Sequence, residues 1–93
     1  MAKPVFAKFI EVDGHQLWSL KWKKNGEPVI LLHGGLSHSA KWEKEILPAV
    51  AKTHEPYAYD RSAHGYTKVR AGYMHFDFQV KELVNFIKTV VKK

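Results

Sequence analysis

The sequence predicts an α/β fold whose elements follow the order β-β-β-α-β-α. Three observations carry this prediction. The dipeptide Asp13-Gly14 separates two strand-like segments, residues 29–33 form the continuous run Val-Ile-Leu-Leu-His, and apolar residues recur at helical spacing over residues 78–91. An uninterrupted apolar strand followed by a glycine turn and a helix is typical of a sheet that helices cover.

Four strands are predicted, at residues 6–12, 16–22, 29–33 and 57–60. Asp-Gly between the first two favours a tight hairpin, because both residues tolerate a left-handed backbone. In the second strand the side chains alternate between two faces, and Trp18 and Trp22 share one of them, which is typical of a core position. The third strand has the composition of a strand buried on both faces.

Two helices are predicted, one from the N-cap Ser39 to about Lys52 and one from the N-cap Asp77 through residues 78–91. Pro48 is expected to end or kink the first helix. The apolar face of the first helix contains Trp42, Ile46, Ala49 and Val50. The apolar face of the second contains Val80, Leu83, Val84, Ile87, Val90 and Val91.

Composition favours one small soluble domain over residues 1–93. The chain has no cysteine, which excludes disulfides and thiolate metal sites. No segment is long and apolar enough for a membrane span, and the N-terminus lacks a secretory apolar stretch, so a cytoplasmic location is expected. The net charge of +6 comes mostly from scattered lysines. Nucleic-acid binding is disfavoured, because specific readers favour arginine.

The order and spacing of these segments resemble the α/β-hydrolase fold family, in particular its small-molecule esterases, lactonases and proline iminopeptidase-like members. The residues that carry the resemblance are the hairpin at Asp13-Gly14, the run through His33-Gly34-Gly35, and Asp60 with His64-Gly65-Tyr66-Thr67. The resemblance implies a three-layer sandwich, with a four-stranded mixed sheet of order 1-2-4-3 and one helix on each face.

The same resemblance implies that the loop after the third strand, His33 to Leu36, forms an oxyanion hole. A backbone N–H held near a reacting carbonyl stabilises developing negative charge without reorganisation. Gly35 is the first candidate for this donor and Leu36 the second, with Gly34 completing the turn. His33 is implied to be a structural residue whose side chain joins neighbouring loops.

The sequence departs from the family pattern in two ways. Family members usually carry Arg and Gly where this chain has Ser62 and Ala63. Their nucleophile elbow, acid and catalytic histidine lie later in the chain, and this sequence contains no G-x-S-x-G segment. We therefore expect a partial α/β-hydrolase, either a natural relative or an engineered piece.

The sequence does not identify a catalytic residue, but it offers candidates. Gly35-Leu36-Ser37-His38-Ser39 resembles an elbow without its last glycine, so Ser37 is a candidate nucleophile with His64 or His75 as base and Asp60 as orienting acid. The simpler interpretation is that Ser37 and Ser39 cap the first helix and that Asp60 anchors a turn. The six histidines match no metal-ligand spacing, and no cofactor motif is present.

In complete family members a further strand lies beside the third strand. Without it, residues 29–33 would form an apolar edge with no charge to prevent pairing. We therefore expect a homodimer in which this strand pairs with its copy across a two-fold axis. The first functional hypothesis is a self-associating structural module, and the alternative is a hydrolase of small esters or lactones that uses the His-Gly-Gly loop. A basic domain that binds a ligand or nucleic acid is the third hypothesis.

Overall fold

The computed structural model describes residues 4–22, 26–33 and 47–92. Its sheet contains β1 (Phe6–Val12), β2 (His15–Lys21), β3 (Pro28–Leu31) and β4 (Glu55–Tyr59). The strand order is β1-β2-β4-β3, which confirms the mixed four-stranded sheet. The predicted bounds of β1 are also confirmed, and those of the other three strands differ by one or two residues.

The hairpin between β1 and β2 is closed by a two-residue turn. Val12 lies opposite His15, and the pairing continues to Phe6 opposite Lys21. Asp13 and Gly14 have φ values of 54° and 78°. Two consecutive left-handed residues match the right-handed twist of the flanking strands, which explains why the sequence uses Asp-Gly here.

β4 lies between β2 and β3 and is the most buried strand. It is antiparallel to β2, with Ser19 opposite Tyr59, and parallel to β3, with Ile30 opposite Tyr57. Residues 56–59 are all buried. The parallel pair brings the carboxyl ends of β3 and β4 to the same edge of the sheet.

The described helices are α1 (Leu47–Val50) and α2 (Phe76–Phe86), and α2 continues as a π-helical turn over Ile87–Val91. The prediction that Asp77 caps this helix is wrong. His75 precedes the first turn, and Asp77 lies within it, where its negative charge faces the positive end of the helix dipole. The chain leaves the helix through Lys92, which has a left-handed backbone.

The first predicted helix is described only at its end. Pro48 does not end it, since α1 continues to Val50, and the alternative of a kink depends on preceding residues that lie outside the described ranges. The predicted cap Ser39 and the predicted core residues Trp42 and Ile46 lie outside the described residues. Ala49 is exposed, so its assignment to the core is wrong, whereas Val50 does pack against the core.

The core consists of two apolar clusters on opposite faces of the sheet, one under each helix. This confirms the predicted three layers. The first cluster contains Val12, Leu17, Tyr57, Tyr59, Phe86 and Val91. The second contains Leu20, Trp22, Leu31, Leu47 and Ala58. The rings of Tyr59 and Phe86 stack with centroids 4.4 Å apart, which fastens α2 to the sheet.

Two members of the predicted apolar face of α2 do not belong to the core. Val80 and Val84 are 41% and 39% exposed. The buried positions of this helix are instead Glu82 and Phe86, one helical turn apart on the same face. Leu83, Ile87, Val90 and Val91, the other predicted members of this face, do belong to the first core cluster or pack against it.

Within the described ranges, no helix has the length and apolar character that crossing a membrane requires.

Candidate functional site

The candidate site lies where the loops after β3 and β4 meet. His33, two residues after β3, is 4% exposed, and its Nε2 accepts a hydrogen bond of 3.0 Å from the backbone N–H of Arg61. A ring nitrogen that accepts this bond carries no proton, so His33 is the neutral Nδ1–H tautomer. Its ring centroid is 4.9 Å from that of His64. The histidine therefore joins the two loops.

The remaining residues of the predicted oxyanion loop, Gly34, Gly35 and Leu36, lie outside the described residues, as does Ser37. Their roles as oxyanion donors and as candidate nucleophile stay predictions. The described part of this loop ends at His33, whose bond to Arg61 fixes where the loop leaves the sheet.

Asp60 anchors the loop that follows β4. Its side chain is 1% exposed, and its Oδ2 accepts a hydrogen bond of 2.9 Å from the backbone N–H of Tyr66. Gly65 lies directly against this carboxylate, and a Cβ at that position would overlap the carboxylate oxygens. Gly65 also has a φ of 52°. Both space and backbone geometry therefore require glycine here.

A second buried carboxylate, Glu82 of α2, holds the same loop from the helix side. Its Oε1 accepts the backbone N–H of Ser62 at 3.1 Å, and its Oε2 accepts the Ser62 hydroxyl. Arg70 Nη1 lies 3.8 Å from Oε2 and provides a positive charge. The carboxylate thus has partners although no arginine occupies position 62, where family members usually have one.

Sequence reasoning missed Glu82. It lies between Lys81, which is exposed, and Leu83, which packs against the core, and no residue pattern distinguishes an inward carboxylate from an exposed one. The signal that could have found it is the small polar residue at position 62. A serine in a tight loop needs a partner, and a helix that packs against the loop can provide it.

Ala63 adopts a left-handed backbone with φ of 70°. Its N–H still donates to the carbonyl of Lys68 at 3.1 Å. The loop therefore keeps a conformation that favours glycine while carrying a side chain, and the cost is local backbone strain of about 1–2 kcal/mol.

The described residues do not assemble a serine–histidine–acid relay around Ser62. Its hydroxyl donates directly to Glu82 and is buried, so no base stands between them and no substrate reaches it. His64 Nδ1 lies 3.0 Å from the carbonyl oxygen of Ser62, to which it can only donate. His75 is exposed at the start of α2.

Burial changes the electrostatics of two tyrosines beneath the site. Burial, followed by the nearby charge of Glu82, raises the pKa of Tyr59 above its ordinary value. Burial and a hydrogen bond to Glu55 raise the pKa of Tyr57 to about 12. Both hydroxyls stay protonated at neutral pH, so they act as donors and not as bases.

Across the described ranges, no three histidine or carboxylate side chains are grouped so that they could hold a metal ion.

The sequence and the structure were compared with known proteins. The model of the alpha/beta hydrolase fold family matches residues 27–93. The Cif epoxide hydrolase from Acinetobacter nosocomialis is 27% identical, with a TM-score of 0.81 over 97% of this chain and 28% of that one. A meta-cleavage product hydrolase from Pseudomonas fluorescens is 27% identical, with a TM-score of 0.74 over 90% of this chain and 32% of that one.

An epoxide hydrolase from Vigna radiata is 22% identical, with a TM-score of 0.77 over 92% of this chain and 28% of that one, and this likeness concerns the fold alone. The chain thus spans less than a third of the length of each of these hydrolases. No sequence among curated proteins matches the chain.

Replacing Gly65 tests whether Asp60 anchors the loop. Gly65→Ala adds backbone strain and displaces a buried carboxylate, so we expect a loss of about 3 kcal/mol in the free energy of unfolding. Gly14→Ala is the matched control, because Gly14 has a similar φ of 78° and open space around it. That variant should lose only about 1 kcal/mol. Equal losses in urea unfolding would contradict the role of Asp60.

Replacing Ala63 tests the strain in the same loop. Ala63→Gly relieves the left-handed alanine but increases the entropy of the unfolded chain, so we expect a net stabilisation of about 0.5–1 kcal/mol. Ala7→Gly, on the exposed strand β1, should instead destabilise by about 0.5–1 kcal/mol. Thermal unfolding of the two variants measures the difference, and a destabilised Ala63→Gly protein would show that the loop is not strained.

Proposed function

Because the chain belongs to the α/β hydrolase fold family, we propose that it acts as a structural module of that fold and associates with a second copy through the free edge of β3. The observation that carries the proposal is the position of β3 at the end of the sheet. Among the described residues, β3 pairs with β4 alone. Its other edge offers backbone N–H and C=O groups for pairing.

The two edge strands of the sheet differ in how strongly they oppose pairing with a strand of another chain. The outer strand β1 carries the exposed charged residues Lys8 and Glu11, which oppose pairing with another sheet. β3 has the sequence Pro-Val-Ile-Leu, without a charge, and the next residue, Leu32, is 45% exposed. Proline blocks pairing only at the first position of the strand. An apolar edge next to an exposed leucine supports association at β3 and not at β1.

A second copy is the simplest occupant of this edge. An antiparallel β3 pair across a two-fold axis would make one continuous sheet from the two protomers and satisfy both edges at once. The exposed Val80 and Val84 of α2 add apolar surface outside the core of one protomer. These features together support a homodimer.

Hydrolysis of small esters or lactones is the second candidate function. It is supported by family membership and by the hydrogen bond that the Arg61 backbone N–H donates to His33, the residue before the predicted oxyanion glycines. The sequence contains no G-x-S-x-G elbow. In this candidate Ser37 would supply the nucleophile and Gly35 the oxyanion donor.

Leu32→Lys tests the proposed interface. We expect the unaltered protein to show twice the 10.7 kDa mass of one chain in light scattering. The dissociation constant of the variant dimer should be at least tenfold higher, because the substitution places a like charge on both protomers. Met74→Lys, at a position that is 76% exposed and far from β3 in sequence, is the control and should leave the dimer intact. A monomer at every concentration of the unaltered protein would refute the proposal.

Turnover of 4-nitrophenyl acetate separates the two candidates. If the protein is a structural module, it should release nitrophenolate at the same rate as its Ser37→Ala variant, because Ser37 then takes no part in the reaction. Ser39→Ala is the matched control in the same segment. A rate that falls more than tenfold in Ser37→Ala alone would establish the hydrolase function and displace the structural proposal.

A further inference from the structure

We propose that a cavity between the β1–β2 hairpin and residues 67–70, here called the hairpin pocket, binds small aromatic carboxylates. The pocket has a volume of about 480 Å³ and is separate from the edge of β3. Cavities that hold small organic ligands fall in the range of about 300–1,000 Å³. One wall consists of Phe9, His15 and Gln16 from the hairpin, and the other consists of residues 67–70.

The walls are held together by contacts that no ligand needs to form. The backbone N–H of Trp18 donates to the hydroxyl of Thr67 at 2.9 Å, which ties the second wall to β2. The Trp18 ring lies between Phe9 and Tyr66, with edge-to-face contacts at 5.1 Å and 5.0 Å. Because these contacts already order the walls, ligand binding carries little further entropic cost of ordering them.

The charges that line the pocket are all positive. The exposed Lys68 and the half-buried Arg70 both line it, and none of its lining residues among those described is a carboxylate. Asp13 and Glu82 line a smaller cavity of about 90 Å³ instead, and Arg70 lines both cavities. Charge complementarity therefore favours an anion, and the overall charge of +6 adds to its attraction.

The two cations contribute differently. Arg70 already faces Glu82 at 3.8 Å, and its guanidinium lies 4.8 Å from the centroid of the Phe78 ring. These two contacts hold its positive charge in the wall of the pocket. Lys68 has no ion-pair partner among the described residues, so its ammonium group is available to a carboxylate.

The apolar side chains of the pocket favour a ligand that contains an aromatic ring. Phe9 is 47% exposed and Val69 is 67% exposed, and both line the cavity. Exposed apolar side chains that line a pocket lose contact with water when a flat aromatic ligand binds against them. The chemical class that matches all three features is a carboxylate attached to one or two aromatic rings.

Titration of the isotope-labelled protein with 2-naphthoate, followed by amide NMR shifts, tests this inference. We expect saturable shifts at His15, Gln16 and residues 67–70. The neutral isostere 2-naphthamide should bind at least fivefold more weakly, and acetate, which lacks a ring, should not saturate. Equal binding of the amide would overturn the role of charge, and equal binding of acetate would overturn the role of the apolar wall.

Variants locate the site. Lys68→Gln should weaken 2-naphthoate binding about fivefold, in line with the loss of one partly exposed charge pair. Lys52→Gln removes another exposed charge, from the turn after α1, and is the control. An equal loss in both variants, or shifts that map elsewhere, would overturn the inference, as would no binding by the unaltered protein. Phe9→Ala should reduce binding while Met74→Ala does not.

Discussion

The burial of β4 between β2 and β3 is the constraint on which the rest of the structure depends. Both of its edges are paired, and its side chains alternate between the two core clusters, with Tyr57 and Tyr59 under α2 and Ala58 under α1. The strand also delivers Asp60, already buried, to the edge where the loops meet.

From this edge, three buried side chains hold one loop from three directions. His33 accepts the N–H of Arg61 from the loop after β3, Asp60 accepts the N–H of Tyr66 within the loop, and Glu82 accepts Ser62 from the helix. Each bond satisfies a backbone donor that the fold removes from water. The loop therefore keeps its conformation although Ser62 and Ala63 differ from the usual family residues. Its shape depends on backbone hydrogen bonds more than on those two side chains.

The parts of the fold that were predicted correctly rest on local signals. Asp13-Gly14 indicates the hairpin turn because both residues tolerate a left-handed backbone. The strands are indicated by alternating side chains and by apolar composition. The strand order came from the family resemblance, because long-range pairing leaves no local signal. The failures are positions where neighbours decide burial. Val80 and Val84 match the helical period yet are exposed, and Glu82 is charged yet buried.

For the site, the sequence placed His33 and Asp60 in the correct loops, but it could not give their hydrogen-bond partners. Arg61 and Tyr66 act through their backbone N–H groups, so their side-chain identity carries no signal. The helix boundary at His75 was missed for a related reason. Asp77 has the composition of a cap, and the N-cap position is instead taken by a residue that makes no side-chain hydrogen bond there.

The insertion of β4 between β2 and β3 also determines the order in which the sheet can assemble. The β1–β2 hairpin joins neighbours in sequence, so it can close early and alone. β2 cannot pair with β4 until Tyr59 has been synthesised and has folded back opposite Ser19. The two residues are separated by nearly half of the chain. Until then β3 has no partner on either side, and the nascent chain exposes its most apolar strand for longest.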